Sequence, residues 1–524
     1  MTNEQLRALR TAINESLRIQ LGGAQHIGYI DPGSFLVDIC SRQNHTVFAR
    51  RGCGKTLLLH ESSKSLPSKY RAIYINCEEY KHHSFPNVLI EILDRLFAEL
   101  ETHLNSWFGK KKETKQLIQS IRRDLQSVIQ HADVVEKDVK TVDTHSHSTD
   151  LTVTAGAPVG PIDLGVETGL SEEATATIEQ TYKQLDAKIG KLNVLLPRLK
   201  QLVREFFASS TNVEAIFLQL DDLYHLKRTD QPFVVDYVHR LCKDVPIYFK
   251  IATLRHASTL YADRSGQPIG AQERHDFQPL NVDYSFADFG RTCTLNKKIL
   301  YAFAAQVGLQ QDDVDGLFKG EGFERLVMAG GGVPRDVLSL FLEVLQNVQG
   351  SADPRIGKDD VRSLSRATFE HRIEELKQDS EGPEQEKLIR GIYVIRQFCL
   401  ERKSNVFLVS EQTMQSNDSL RALIYRLMDY RIIHQAGAAF THKSHPGTYQ
   451  AFAVDIGCYA HLRKHQGKLA EIDFGRSDAK EQMRSAPVLD ESAFRTLWTT
   501  VPRATEAALL AEDESALAGP VDDI

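Results

Sequence analysis

A chain of 524 residues with 42% hydrophobic and 25% charged side chains has the makeup of an ordinary globular protein of two to four domains. Its net charge of −7 argues against a chain-wide nucleic-acid coat, yet leaves room for a local basic module. Seven scattered cysteines without a C-x-x-C pair read as reduced thiols of a cytoplasmic protein, the polar stretch Met1 to Leu21 is no signal peptide, and no apolar run reaches the length of a membrane span.

Residues 1–40 read as an N-terminal helical segment, with a helix over 4–19, a turn at Asp31-Pro32-Gly33 and a second helix around 34–42. An α/β core over 41–285 follows, opened by the short apolar strand His45 to Ala49. The most informative motif of the chain comes next: Ala49-Arg50-Arg51-Gly52-Cys53-Gly54-Lys55-Thr56, running into the apolar helix that begins at Leu57. The pattern G-x-x-x-x-G-K-[ST] is met except at its first position, where Ala49 replaces Gly. Gly52 and Gly54 allow successive backbone N–H groups to turn inward as an anion nest. The helix start adds its positive dipole end. On this reading Arg51, Gly52, Cys53, Gly54, Lys55, Thr56 and Leu57 cradle nucleotide phosphates. Lys55 reaches the β- and γ-oxygens, and the Thr56 hydroxyl ligates Mg2+.

Arg71 to Cys77 reads as a second strand, and 85–104 as an amphipathic helix. From about 107 to 200 the α/β rhythm breaks. A basic helix (110–131) leads to a Thr-, Val-, Gly- and Ser-rich stretch (134–170) whose alternation suggests one or two β-hairpins. A long helix (171–209) returns to the core. An inserted excursion of this size is more often an interaction surface than filler, and it is the place expected for a protein effector. Asp143, His145 and His147 fit a solvated hairpin edge better than a metal cluster, and Lys110-Lys111-Lys112 fit a helix face in water.

The rhythm resumes with a strand over Val213 to Asp222, a helix over 232–243, a strand over Pro246 to Thr253 and a fifth strand near 275–282. Ligands of open α/β sheets sit at the carboxyl ends of strands. Asp221 is therefore expected to hold Mg2+ through its water shell, and Asp222 to polarise the attacking water. Asp222 is one methylene shorter than a glutamate, which points to slow hydrolysis. Thr253 is placed to bond the γ-phosphate or the water. The strands leading to Lys55 and to Asp221 are expected to be neighbours. Residues 286–386 form a helical lid interrupted at Gly330-Gly331-Gly332-Val333-Pro334-Arg335, from which Arg335 reaches the nucleotide. Arg255 and Arg274 read as surface arginines and not as trans-acting fingers.

Residues 387–466 hold eleven Lys/Arg against five Asp/Glu, a basic segment in an acidic chain. Helix, short strand, two helices, strand, basic turn and strand is the order of a winged helix. Its third helix is expected to turn Arg421 and Arg426 outward, and Lys443 sits at the wing tip, all three facing the phosphates of duplex DNA. His442 and His445 read as polar wing-tip residues. Residues 467–524 read as a loose, acidic tail.

Together, Ala49–Thr56, Asp221-Asp222, Thr253 and Gly332-Val333-Pro334-Arg335 resemble the Walker A, Walker B, sensor 1 and sensor 2 elements of AAA+ ATPases, with bacterial ATPases similar to the origin-recognition-complex initiators as the relatives. The resemblance covers roughly residues 20–350 and extends toward 466. It implies a five-stranded parallel sheet, a helical lid, ATP with Mg2+, and homo-oligomers in the ATP state. Ala49 for Gly and Asp222 for Glu depart from the family pattern, and both bear on turnover more than on binding. Two functions fit. One is an ATP-gated DNA-binding ATPase, plausible in bacterial defence or mobile-element biology. The other is a STAND-like signalling NTPase whose winged helix is an internal clamp and whose insertion docks an effector. Neither involves a membrane.

Overall fold

The computed structural model describes residues 2–17, 27–83, 85–104, 110–129, 172–264, 266–380, 382–460 and 469–500. The elements in chain order are α1 (Asn3–Ser16), α2 (Phe35–Ile39), β1 (His45–Phe48), α3 (Lys55–Ser65), β2 (Tyr70–Asn76), α4 (Asn87–Thr102), α5 (Lys110–Ile129), α6 (Glu172–Ser209), β3 (Ala215–Asp221), α7 (Gln231–Cys242), β4 (Ile247–Thr253), the hairpin β5 (Tyr261–Arg264) and β6 (Gln267–Gly270), and β7 (Gln278–Asn281). There follow α8 (Phe289–Gln306), α9 (Gln311–Asp315), α10 (Gly322–Ala329), α11 (Pro334–Val348), α12 (Lys358–Asp379), α13 (Gly382–Glu401), β8 (Val406–Ser410), α14 (Glu411–Ser416), α15 (Asp418–Asp429), β9 (Ile433–Thr441), β10 (Thr448–Val454), α16 (Ala479–Met483) and α17 (Glu491–Thr500). They build two compact units. The first holds Met1–Gly33, Ala49–Leu57 and Val282–Ile524; the second holds Ser34–Phe48 and Leu58–Asn281.

The second unit is built on a five-stranded sheet in the order β2-β3-β4-β1-β7. Its pairings are parallel throughout. Every residue of β3 is buried, as parallel strands covered on both faces require. Lys250 in β4 is buried without a carboxylate. Its ammonium donates to Ser41 O (2.8 Å), Gln43 O (2.7 Å) and His45 Nδ1 (2.9 Å), so all three protons are used and the chain entering β1 is fixed. The β1 and β3 strands are not neighbours, contrary to the sequence reading: β4 lies between them. The carboxyl ends of β1 and β3 are therefore two strand spacings, about 10 Å, apart. Thr253 stands between them at the end of β4.

Helices α5 and α6 pack through Ile118, Ile121 and Leu125 with Leu192, Leu196, Leu199 and Val203. Arg122 ties α5 to Asp94 of α4 (Nε to Oδ1, 2.8 Å). The two helices are the stem of the expected insertion. Its predicted hairpins, with Asp143, His145 and His147, lie outside the described residues.

In the first unit α1 is not a separate segment. A capping box between Thr2 and Gln5 starts it, and Leu6, Leu9 and Ile13 enter the same core as α8, α10 and α11. The winged-helix module appears in the order read from sequence, with an antiparallel sheet β8-β10-β9. The tail departs from its reading as loose. Within 469–500, Ile472 is tied to the Asn405 side chain through N–H (2.8 Å) and C=O (3.2 Å), and Leu489 N–H donates to Leu408 O (2.8 Å). Phe474, Met483, Leu489 and Leu497 are buried in the core of the first unit, Phe474 against Phe286 and Phe289. These anchors are too widely spaced to produce a periodic signal.

Candidate nucleotide site

The phosphate loop leaves β1 and opens α3. Gly52 and Gly54 adopt φ of +83° and +86°, the left-handed region that glycine enters without strain. A Cβ on Gly52 would also meet Val333 and Arg335 at 2.9 Å. Ala49 is not among the residues with positive φ, so the missing first glycine costs the loop no conformation it uses. Lys55 is buried, and its ammonium donates to Ala49 O (3.1 Å) and Arg50 O (3.4 Å), the first two carbonyls of the loop. This curled backbone, the helix start and Lys55-Thr56 are a donor set suited to a triphosphate and to a hard cation on the Thr56 hydroxyl. Cys53 takes no nucleophilic part. Burial and the adjacent Asp283 push its thiol far above the ordinary range, and it donates to Asp283 Oδ1 (3.4 Å).

Arg335 lies against the loop. Pro334 begins α11, the Arg335 N–H donates to Gly52 O (3.3 Å), and its side chain lies against Gly52. Arg51 forms an ion pair with Asp379 of α12.

Sequence reasoning missed the residue before it. Arg50 clasps Asp283 with Nε to Oδ2 (2.7 Å) and Nη2 to Oδ1 (2.9 Å), while its own backbone N–H donates to Oδ2 (3.0 Å). Burial would raise the Asp283 carboxyl, but Arg50 outweighs it and holds the group below its usual range. The remaining Arg50 nitrogen, Nη1, donates to Gly331 O (3.0 Å) and to Nδ1 of His434 (3.1 Å), the second residue of β9. Accepting there leaves the His434 proton on Nε2, which donates to Asp455 Oδ2 (3.2 Å). Burial brings the His434 pKa down to about 4, so the ring is neutral. Gly331 makes room for it: at φ +63°, a Cβ would lie 2.4 Å from the imidazole.

The chain of buried charges continues. Asp455 pairs with Arg372 of α12, and Arg372 also donates to Arg431 O (3.2 Å) and pairs with Asp336 (3.3 Å). Arg431, fully buried at φ +62°, pairs with Asp336 (3.3 Å) and Glu375 and donates to Arg51 O (3.4 Å). Burial raises the Asp336 carboxyl, yet Arg431, Arg372 and Arg335 hold it low. The phosphate loop is thus bonded through both arginines to the lid helix α12 and to the winged-helix module. The sequence signal was slight: an Arg-Arg pair inside the loop, and an arginine just past a helix end.

In the second unit β3 delivers Asp221, buried, and Asp222, whose φ of +52° is left-handed. The Asp222 N–H donates to Asp221 Oδ1 (3.0 Å), and the Tyr74 hydroxyl to Oδ2 (2.8 Å). Burial, then Asp221, push the Tyr74 hydroxyl well above the ordinary tyrosine range, so it remains a donor. Thr253 is buried with its hydroxyl bonded to Ser258. Arg255 pairs with Glu273 (3.0 Å).

Of the residues expected on DNA, Arg421 pairs with Asp418 (2.6 Å) and Lys443 with Glu481 (2.8 Å), both partly exposed. Pairs of this kind contribute about 0–1 kcal/mol and do not keep a phosphate away. Arg426 corrects its sequence reading. It is not outward: its side chain is 13% exposed and pairs with Glu384 (2.9 Å). The reason is α13, which begins just where the helix face turns in.

No family model matches this sequence, and no curated protein matches it significantly. The chain is similar to the Aeropyrum pernix ORC1 protein solved in complex with DNA, at 14% identity and a TM-score of 0.30, over 89% of this chain and 93% of that one. It is also similar to a chain of the Drosophila ORC structure bound to DNA, at 13% identity and a TM-score of 0.31, over 88% and 93%. At such identities neither likeness assigns a role to a residue. Among the described residues no helix is long and apolar enough to cross a membrane.

Proposed function

We propose that this chain binds ATP with Mg2+, hydrolyses it slowly, and uses the state of its phosphate loop to hold or release the winged-helix module, with duplex DNA as that module's ligand. One observation carries the gating: the loop that presents the anion nest is the same segment whose Arg50 and Arg51 bond to His434, Arg431 and Asp379. Five arginines (50, 51, 335, 372, 431) face five carboxylates (283, 336, 375, 379, 455), so an added triphosphate upsets a charge balance that reaches the module. Thr56 and Asp221 serve the magnesium in this reading, Asp222 the water, Thr253 and Arg335 the γ-phosphate. ATP-driven homo-oligomers and a role in defence or mobile-element biology belong to the same proposal.

A second reading, the signalling NTPase with an internal clamp, gains from the pairing of Arg426 with Glu384 and from the engagement of His434 and Arg431 with the loop. Binding of random duplex DNA across a salt series, with and without a non-hydrolysable ATP analogue, separates the two. The gated reading predicts analogue-dependent binding whose log affinity falls with log salt at about −0.9 per phosphate contacted. It also predicts loss of binding in Arg421→Glu/Lys443→Glu. Indifference to DNA in both nucleotide states would favour the signalling reading.

A further inference from the structure

We infer that Tyr74 is a positioning residue for the metal-binding carboxylate of Asp221. The inference rests on the reading of Asp221 as the magnesium residue and deepens it. Strands β2 and β3 run parallel with Tyr74 opposite Gln219 and Asn76 opposite Asp221. Tyr74 therefore stands diagonally behind Asp221 on the neighbouring strand, a separation that an aromatic side chain spans. Its hydroxyl reaches Asp221 Oδ2 at 2.8 Å, while the Asp222 N–H holds Oδ1 at 3.0 Å.

Two donors on two different oxygens fix the plane of a carboxylate whose terminal torsion is otherwise broad. Asp221 is 1% exposed, so water does not do this work. The tyrosine is itself steadied from the other side. Its ring lies against His60 of α3, centroids 4.7 Å apart, on the helix that begins with Lys55 and Thr56. A hydrogen-bonding partner behind a metal-binding carboxylate sets its orientation, and loss of such a partner typically weakens metal binding about 10- to 100-fold. Tyr74 touches neither nucleotide nor metal in this arrangement; it acts through Asp221.

The test is the magnesium dependence of nucleotide binding, read with a fluorescent ATP analogue on the full chain. Tyr74→Phe keeps the ring and removes only the hydroxyl. The Mg2+ concentration for half-maximal gain in affinity is expected to rise about tenfold or more, with analogue binding in EDTA unchanged. In an Asp221→Asn background the same substitution is expected to add nothing, since the pair acts as a unit. A Tyr74→Phe chain with the wild-type magnesium response overturns the inference, as does a full additional loss in the Asp221→Asn background. A wild-type chain whose analogue binding ignores Mg2+ removes the reading of Asp221 itself, and the inference with it.

Discussion

Lys55→Ala is expected to abolish ATP binding. The Lys55 ammonium is buried and held within the loop by its bonds to the carbonyls of Ala49 and Arg50. A triphosphate exchanges those neutral acceptors for charged ones. Each charge-assisted bond contributes roughly 1.5–3 kcal/mol, so loss of two weakens binding on the order of 100-fold or more. Titration with a fluorescent nucleotide checks the expectation. Wild-type affinity in Lys55→Ala would remove the site from this loop.

Asp455→Ala is expected to be the most damaging single change to the first unit. Asp455 is fully buried and accepts from His434, Arg372 and the Gly457 N–H (2.9 Å). The side chain of Arg372 is 3% exposed and keeps only the carboxylate of Asp336 (3.3 Å), which Arg431 shares, so water does not replace the lost partner. Breaking a buried pair from one side costs about 3–5 kcal/mol, against about 0–1 for an exposed pair such as Arg421 with Asp418. Denaturant unfolding of Asp455→Ala beside Asp418→Ala makes the comparison. Equal effects would mean that the buried network is not what holds the module.

Much of the fold was legible because periodicity and punctuation agree along the chain. The run Ala215 to Leu220 is apolar but for Gln219 and is bounded by carboxylates, and with Asp221 it is the fully buried β3. Asn417 caps α15, accepting from Leu420 N–H (2.9 Å). What failed was long-range. Strand order is not written in strand sequences, so the insertion of β4 between β1 and β3 had no local sign. Arg426 occupies a helical position that sequence assigns to solvent, and only the approach of Glu384 from α13 reveals otherwise. The tail lacked a period because its buried residues plug separate gaps. In the loop, the left-handed turns at Gly52 and Gly54 were readable because the motif fixes their spacing. Arg50, Asp283, His434 and Asp455 were not, because their partners come from segments up to 384 residues apart.

Hydrogen exchange of residues 431–441, with and without a non-hydrolysable ATP analogue and Mg2+, measures directly whether the phosphate loop governs the winged-helix module. The account predicts that bound nucleotide changes exchange there by roughly fivefold or more, the usual size of coupling between linked sites, and that Arg50→Gln erases the difference while the analogue still binds. Identical exchange in the bound and free wild-type chain would contradict it.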